Sequence, residues 1–258
     1  MNILIFDTET VGMQTQTLLN VGYKIIDLDL DTCTAKTLCA RDYVIRKHFL
    51  NDMLMINDKF VGAEKWLLMK DKVAKGGTKL RTIEQTFTQM TKDLLRFPCC
   101  YGFAFNSDFD TDKFEKTARE YGIDNPLDGI EIIDLWGLAY HFICDKDDYK
   151  EWMRDNEMFT PTGRFLQTSV EGITAFLTKD VTFKEEHTAL SDVEWEQKIL
   201  IECAKRGCDI TKPLPRGANL PSGKVFKKIL VVGGKEIEIE FTSMSRKWDS
   251  AERIVFNP

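Results

Sequence analysis

Residues 3–6, Ile-Leu-Ile-Phe, run without a break into Asp7-Thr8-Glu9-Thr10, and no other segment constrains the chain as much. A short apolar run rich in β-branched residues reads as a strand buried on both faces, which needs covering layers on each side of its sheet. Side chains alternate across a strand, so Asp7 and Glu9 project to the same side. Two carboxylates held together at the end of a buried strand repel each other, and a divalent cation relieves that repulsion. Hard oxygen donors suit Mg²⁺ or Mn²⁺ better than zinc. The same spacing recurs at Asp192-Val193-Glu194, where one face of a helix explains it. The Asp-x-Glu pair therefore has two accounts, a metal site and a solvated strand end.

The rest of the chain fills in the layers. Val21 to Leu30 alternates after Gly22 and predicts a second strand, and Thr34 to Ile45 predicts a third, joined through Asp31-Thr32. Residues 46–81 are less regular and carry an excess of Lys and Arg, with Gly76-Gly77 expected to be mobile. They read either as a solvated helix and loop or as a flap over a site. Thr82 is placed to cap a helix reaching Phe97, because Ile83, Phe87, Met90 and Leu94 recur at helical spacing. A buried strand from Cys99 to Phe105 precedes a helix from about Asp110 to Tyr121, with Ser107 or Asp108 as its cap. Glu131 to Ile133 is a short strand, after which Asp134 caps an apolar helix. Helices near 146–157 and 168–178 and a long one from Ala189 to Arg206 follow. An initial meander and then alternating strands and helices predict an α/β fold with a mixed central sheet flanked by helices.

The last fifty residues change character. Pro213, Pro215, Pro221, Gly217 and Gly223 mark a linker, and Lys227 to Phe241 predicts a hairpin turning at Gly233-Gly234. The division expected is a domain over 1–207 and a basic, β-rich extension over 208–258. Between 205 and 228, seven Lys or Arg residues face the single Asp209, which is either a charged tail or a surface for a phosphate backbone.

Composition narrows the class. With 43% apolar residues and seventeen Phe, the chain can bury a large core. A formal net charge of -6 excludes binding of nucleic acid by bulk charge, so any such contact must use local basic patches or metal ions. The seven cysteines include no CxxC pair and match no zinc spacing, which predicts free thiols in a reducing compartment. No apolar run approaches a membrane span and the N-terminus lacks a signal pattern, so a soluble, cytoplasmic protein without membrane partners is expected.

Two further elements can carry chemistry. Asn106-Ser107-Asp108-Phe109-Asp110 follows a buried strand, and Asp110 shares a helix face with Phe114. Ordinary helix capping accounts for the acids as well as a site does. His187 and Asp192 can meet only if His187 lies in a loop before the helix that carries Asp192. His48 and His141 have no comparable context and read as structural, while Glu185 and Glu186 read either as loop surface or as acids placed to tune His187.

Taken in order, strand-Asp7-x-Glu9, strand-Asn106-x-x-Phe109-Asp110-helix and His187-x-Ala189-x-x-Asp192-helix resemble the DEDDh (DnaQ-like) branch of 3′–5′ exonucleases, which has an RNase H-like fold. The resemblance runs from Met1 to about residue 207. Each motif is common, but their combination is specific. Two positions depart from the pattern. Val11 displaces Gly12 by one, and Phe105 stands where the family often has His.

The resemblance implies that Asp7, Glu9, Asp110 and Asp192 bind two divalent metal ions, Mg²⁺ or Mn²⁺. It makes His187 the general base and implicates Thr10 and Asn106 in substrate contacts. It further implies release of nucleoside 5′-monophosphates from the 3′ end of single-stranded nucleic acid or a 3′ overhang, with DNA slightly ahead of RNA. No polymerase domain is attached, so a replication or repair partner would be a separate chain. Three other readings compete: an exoribonuclease of the same fold, a catalytically silent nucleic-acid-binding module, and a haloacid-dehalogenase-like phosphatase using Asp7 as nucleophile. The last lacks a second Asp where Glu9 stands.

Overall fold

A computed structural model describes residues 1–11, 17–50, 62–223, 225–232 and 235–242. Strands β1 (Asn2–Val11), β2 (Thr17–Asp29) and β3 (Thr34–Ile45) form the antiparallel meander expected from the sequence. Helices α1 (Arg46–Phe49) and α2 (Gly62–Ala74) lead to a short strand β4 (Lys79–Arg81) parallel to β3. Helix α3 (Ile83–Arg96), strand β5 (Tyr101–Ala104), helix α4 (Ser107–Tyr121) and strand β6 (Glu131–Asp134) continue the chain. β5 runs parallel to β1, and β6 to β5. Among the described residues the sheet has six strands in the order β4-β3-β2-β1-β5-β6. A mixed sheet led by an antiparallel meander, with later parallel strands added beside β1, agrees with the RNase H-like architecture expected.

Helices α5 (Leu135–Ala139), α6 (Asp147–Asp155), α7 (Val170–Thr178) and α8 (Ala189–Lys205) complete the domain, with a π-helical turn over Tyr140–Cys144. Strands β7 (Val225–Val232) and β8 (Lys235–Thr242) pair antiparallel, as expected of a C-terminal hairpin. The Gly233-Gly234 turn proposed for it, and the displaced Gly12, lie outside the described residues.

Because β1 is apolar on both sides, a core forms on each face of the sheet. On one face Ile3, Ile5, Ile26 and Phe103 pack against Leu138, Ile173, Val193 and Leu200 from the helices. On the other, Leu4, Phe6, Tyr23 and Ile25 pack against Phe87 and Met90 of α3 and Phe114 of α4. Full burial of a side chain of this size contributes about 1.5–3 kcal/mol. Val11, Leu19, Val44, Phe49, Trp66 and Met69 make a third cluster, which seats α2 on the sheet.

Two local features set where α8 lies. Gly22 pairs with Asp7 across β1 and β2. A Cβ at Gly22 would fall 2.3 Å from the backbone of Ala189 and Leu190, so only glycine lets the start of α8 approach the sheet beside Asp7. Asn20, buried on β2, fixes the same end: its Oδ1 accepts from the Ala189 amide at 2.9 Å while its Nδ2 donates to Asp42 at 2.6 Å.

Three sequence expectations are corrected. The helix over 62–74 is not a solvated one, for α2 buries Trp66 and Met69 and sets Lys65 against Glu9. Helix α4 starts at Ser107 rather than Asp110, and neither Ser107 nor Asp108 is its cap. Asn106 holds that position with φ 66°, and its amide donates to Asp134 Oδ1 at 3.1 Å. The sharp left-handed turn lets the helix begin early and puts Asp110 in its first turn. Thr82 caps α3 through a capping box with Gln85, and Asp134 caps α5 by accepting from the Trp136 amide, both as expected. All seven cysteines are free. Among the described residues no helix is long and apolar enough to cross a membrane.

Candidate active site

The C-terminal end of β1, the first turn of α4 and the start of α8 meet at one place. β1 carries Asp7 and Glu9, and its register with β2 shifts just after Glu9. Asp110 bends back onto β1: one of its oxygens accepts from the Thr8 amide at 3.0 Å and from the Thr8 hydroxyl at 2.6 Å. These two bonds fix the carboxylate without using a positive charge. From α8 comes Asp192, which is buried. His187 lies two residues before the helix with φ 52°, in the loop that the spacing required. One ligand-capable atom each from Glu9, His187 and Asp192 lies within 4.8 Å of the others.

The electrostatics show how crowded this place is. Burial, then the carboxylates of Asp110, Glu196, Glu9 and Asp192, hold Asp7 well above the usual carboxylate range. Burial pushes Asp110 up to about 7 against the opposing Thr8 hydrogen bonds. Burial, with Glu185 and Glu9 nearby, pushes Asp192 up to about 8. Glu9 is also raised by burial, opposed by Lys65 and then His187. These shifts share one cause: acids have been taken out of water and placed together with little compensating charge.

The compensation present comes from α2. Lys65 Nζ sits 2.5 Å from Glu9 Oε2, with both side chains largely covered. Lys72 Nζ lies 2.6 Å from Glu186 Oε2 and donates to the Thr188 hydroxyl at 2.7 Å, which ties α2 to the loop carrying His187. Even so, Asp7 Oδ2, Asp192 Oδ1 and Glu196 Oε2 are buried without a hydrogen-bond partner among the described residues. Buried carboxylate oxygens left bare are costly, and hard oxygens with an imidazole beside them form a donor set that fits Mg²⁺ or Mn²⁺.

The site residues expected from the sequence divide into two groups. Asp7, Glu9, Asp110, His187 and Asp192 come together. Thr10 is buried beyond the register shift, and Asn106 occupies the left-handed turn that opens α4. The sequence reading gave three residues no place among the clustered acids: Lys65, Glu185 and Glu196. Glu185 is not simple loop surface, since burial, with Glu171 and Glu9 nearby, raises it to about 7. Glu196 sits four residues after Asp192, one helical turn along the same face, and that spacing was the available signal. Glu194, which drew attention instead, is exposed and pairs with Lys24 at 3.1 Å.

Beside the site, Phe105 stacks on Trp136 at 5.7 Å. The guanidinium of Arg216 lies over the Trp136 ring at 5.4 Å. Arg216 also pairs with Asp134 and with Asp108, the latter at 3.2 Å. One charge of the basic segment is thus occupied in holding residues 208–223 against the domain, where Leu220 and Ile210 are buried.

No family model and no curated protein matches the chain. Among solved structures it is similar to E. coli Exonuclease I in complex with a dA16 oligonucleotide, with 13% sequence identity and a TM-score of 0.48. The similarity covers 78% of this chain and 40% of that one, so the chain spans less than half of that protein's length.

Proposed function

We propose that the chain is a divalent-metal-dependent 3′–5′ exonuclease acting on single-stranded nucleic acid or a 3′ overhang, DNA ahead of RNA. The observation that carries this reading is the set of buried carboxylates around Asp7, Asp110 and Asp192, in which Asp7, Asp192 and Glu196 each have an oxygen with no hydrogen-bond partner among the described residues. A module that only binds a polyanion gains nothing from concentrating acids where the phosphates must lie, unless cations sit between them. Asp7, Glu9, Asp110 and Asp192 would hold two such ions, which when bound neutralise phosphate charge and make a water easier to deprotonate.

The chain's own residues do the rest. His187, exposed at the rim, takes a proton from the attacking water on an imidazole nitrogen. The water oxygen attacks phosphorus, and the bond to the 3′ oxygen of the preceding nucleotide breaks. A nucleoside 5′-monophosphate leaves, and the departing 3′ oxygen takes a proton from solvent to become the new 3′ hydroxyl of the shortened strand. Lys65, once a cation relieves it of Glu9, adds positive charge for the strand's phosphates. The motif order supports the 3′–5′ polarity. In the same proposal residues 1–207 carry the hydrolase and the basic segment 208–258 helps to hold the strand. A separate replication or repair partner has no observation in its favour.

The test is digestion of end-labelled single- and double-stranded DNA and RNA with Mg²⁺, with EDTA and Asp7→Ala controls. Stepwise release of 5′-mononucleotides from the 3′ end, abolished in both controls, is the expected result. An Asp7→Ala protein that digests like the unmodified one overturns the proposal. Metal-independent binding without turnover would favour the silent module.

A further inference from the structure

Glu196 belongs to no motif that led to the site, yet it lies near enough to Asp7, Asp110 and Asp192 for their charges to act on one another. It is 2% exposed, on the face of α8 that also carries Asp192. One of its oxygens, Oε1, accepts from the Phe105 amide at 3.1 Å, at the point where the chain leaves β5 for the Asn106 turn. The other, Oε2, is buried with no hydrogen-bond partner among the described residues. Asp110, Asp7 and Asp192 are the charged groups closest to it in effect.

A purely structural role accounts for only half of this arrangement. Holding the Phe105 amide needs one acceptor oxygen, which a neutral glutamine supplies without adding negative charge to a crowded acidic site. The second oxygen gains nothing from burial unless something positive reaches it. Its rigid anchoring resembles that of Asp110, where Thr8 holds one oxygen in the same manner. Both carboxylates are oriented by neutral donors and stay available to a cation.

We propose that Glu196 is a fifth carboxylate of the metal site, anchored through Oε1 by the Phe105 amide and offering Oε2 to a divalent cation. The proposal rests on the metal reading of Asp7, Glu9, Asp110 and Asp192 given above. It makes the site richer in charge than the four-acid pattern that the sequence resembles, with Glu196 bracing the cation from the side of β5.

Mn²⁺ binding to the whole chain, followed by isothermal titration and by loss of the free-ion electron paramagnetic resonance signal, tests it without nucleic acid or turnover. Glu196→Gln keeps the acceptor for Phe105 and removes the charge. We expect it to weaken Mn²⁺ binding by at least about tenfold or to remove one bound ion, with an unchanged far-ultraviolet spectrum. Unchanged affinity and stoichiometry in Glu196→Gln, with binding lost in Asp7→Asn, overturns the Glu196 assignment and leaves the metal reading standing. No saturable Mn²⁺ binding by the unmodified protein overturns both. If Glu196→Gln does not reach the native spectrum, Glu196→Asp is measured in the same way. Its shortened carboxylate should still weaken binding, and native affinity there refutes the proposal.

Discussion

Chelation should make this protein lose stability as pH rises, the reverse of the usual behaviour of paired carboxylates. The acids at the site are raised in the folded state, so the native protein keeps protons that the unfolded chain releases. Their contribution is fully present below the ordinary carboxylate pKa and is lost as pH climbs through the folded values. For Asp110 the window runs from 3.8 to about 7, and for Asp192 from 3.8 to about 8. Between about pH 5 and pH 7, Asp110 alone corresponds to a loss on the order of 3 kcal/mol, at about 1.4 kcal/mol per pH unit. In a domain of this size that lowers the melting midpoint by about 6–12 °C. The acids interact, so their losses do not simply add. His48, whose imidazole is held below 6.5 mainly by burial, works the other way in the lower part of the window. The comparison is therefore with Asp110→Asn, which removes one raised acid and keeps His48. Melting curves in EDTA from about pH 5 to pH 8.5 should fall steeply for the unmodified protein and less steeply for the variant. Saturating Mg²⁺ should restore the midpoint most at high pH, where the ligands are deprotonated. A midpoint that is flat or rises with pH in EDTA, with the variant superimposable on the unmodified protein, refutes the claim that these acids are buried together unneutralised.

Three other outcomes follow from the geometry. His187→Ala should lower turnover by about 10²–10⁴ with little change in melting midpoint, because the side chain is exposed; near-normal single-turnover rates would remove it as the base. Gly22→Ala drives a Cβ into the Ala189–Leu190 backbone and should cost about 1–3 kcal/mol, lowering activity as α8 is pushed from Asp7. Full activity and stability in that variant would mean that α8 is not held so close. Lys65→Met removes an ammonium from Glu9 and should tighten Mg²⁺ binding several-fold by titration; weaker binding would show that Lys65 supports the cation instead of competing with it.

Where the local signal was strong, structure was legible from the residues alone. β3 spans Thr34–Ile45, as its pattern predicts, because it starts after the turn over residues 30–33 and ends in a buried run, Asp42 to Ile45, where α1 begins. Thr82 announces α3 because a capping box is a purely local bond pattern. β4 was not legible, since Lys79-Leu80-Arg81 is a strand only by virtue of pairing with β3. The start of α4 depended on a left-handed Asn106 and on Asp134, twenty-eight residues away. The same division holds at the site. Asp7 and Glu9 advertise themselves at a strand end, and the His187 loop follows from helical geometry. Lys65 could be placed only once α2 was packed, whereas Glu196 carried one local signal, its spacing of four from Asp192, and its bond to the Phe105 amide emerged only from the fold.

The acidic charge of the chain bears on how such a site could meet its substrate. A net charge of -6, part of it gathered where phosphates would have to lie, opposes a polyanion until cations are bound. Lys65 and Lys72 already face Glu9 and Glu186, so their charge is largely committed at the site in the metal-free state. Cations on Asp7, Glu9, Asp110 and Asp192 would reverse the local field and free Lys65 for phosphate. Metal and strand would then promote each other's binding, and linkage makes the effect equal in both directions. The raised acids, the orphaned oxygens and the lysine held by Glu9 are on this view three signs of one condition, a site arranged for charges that its own side chains do not supply.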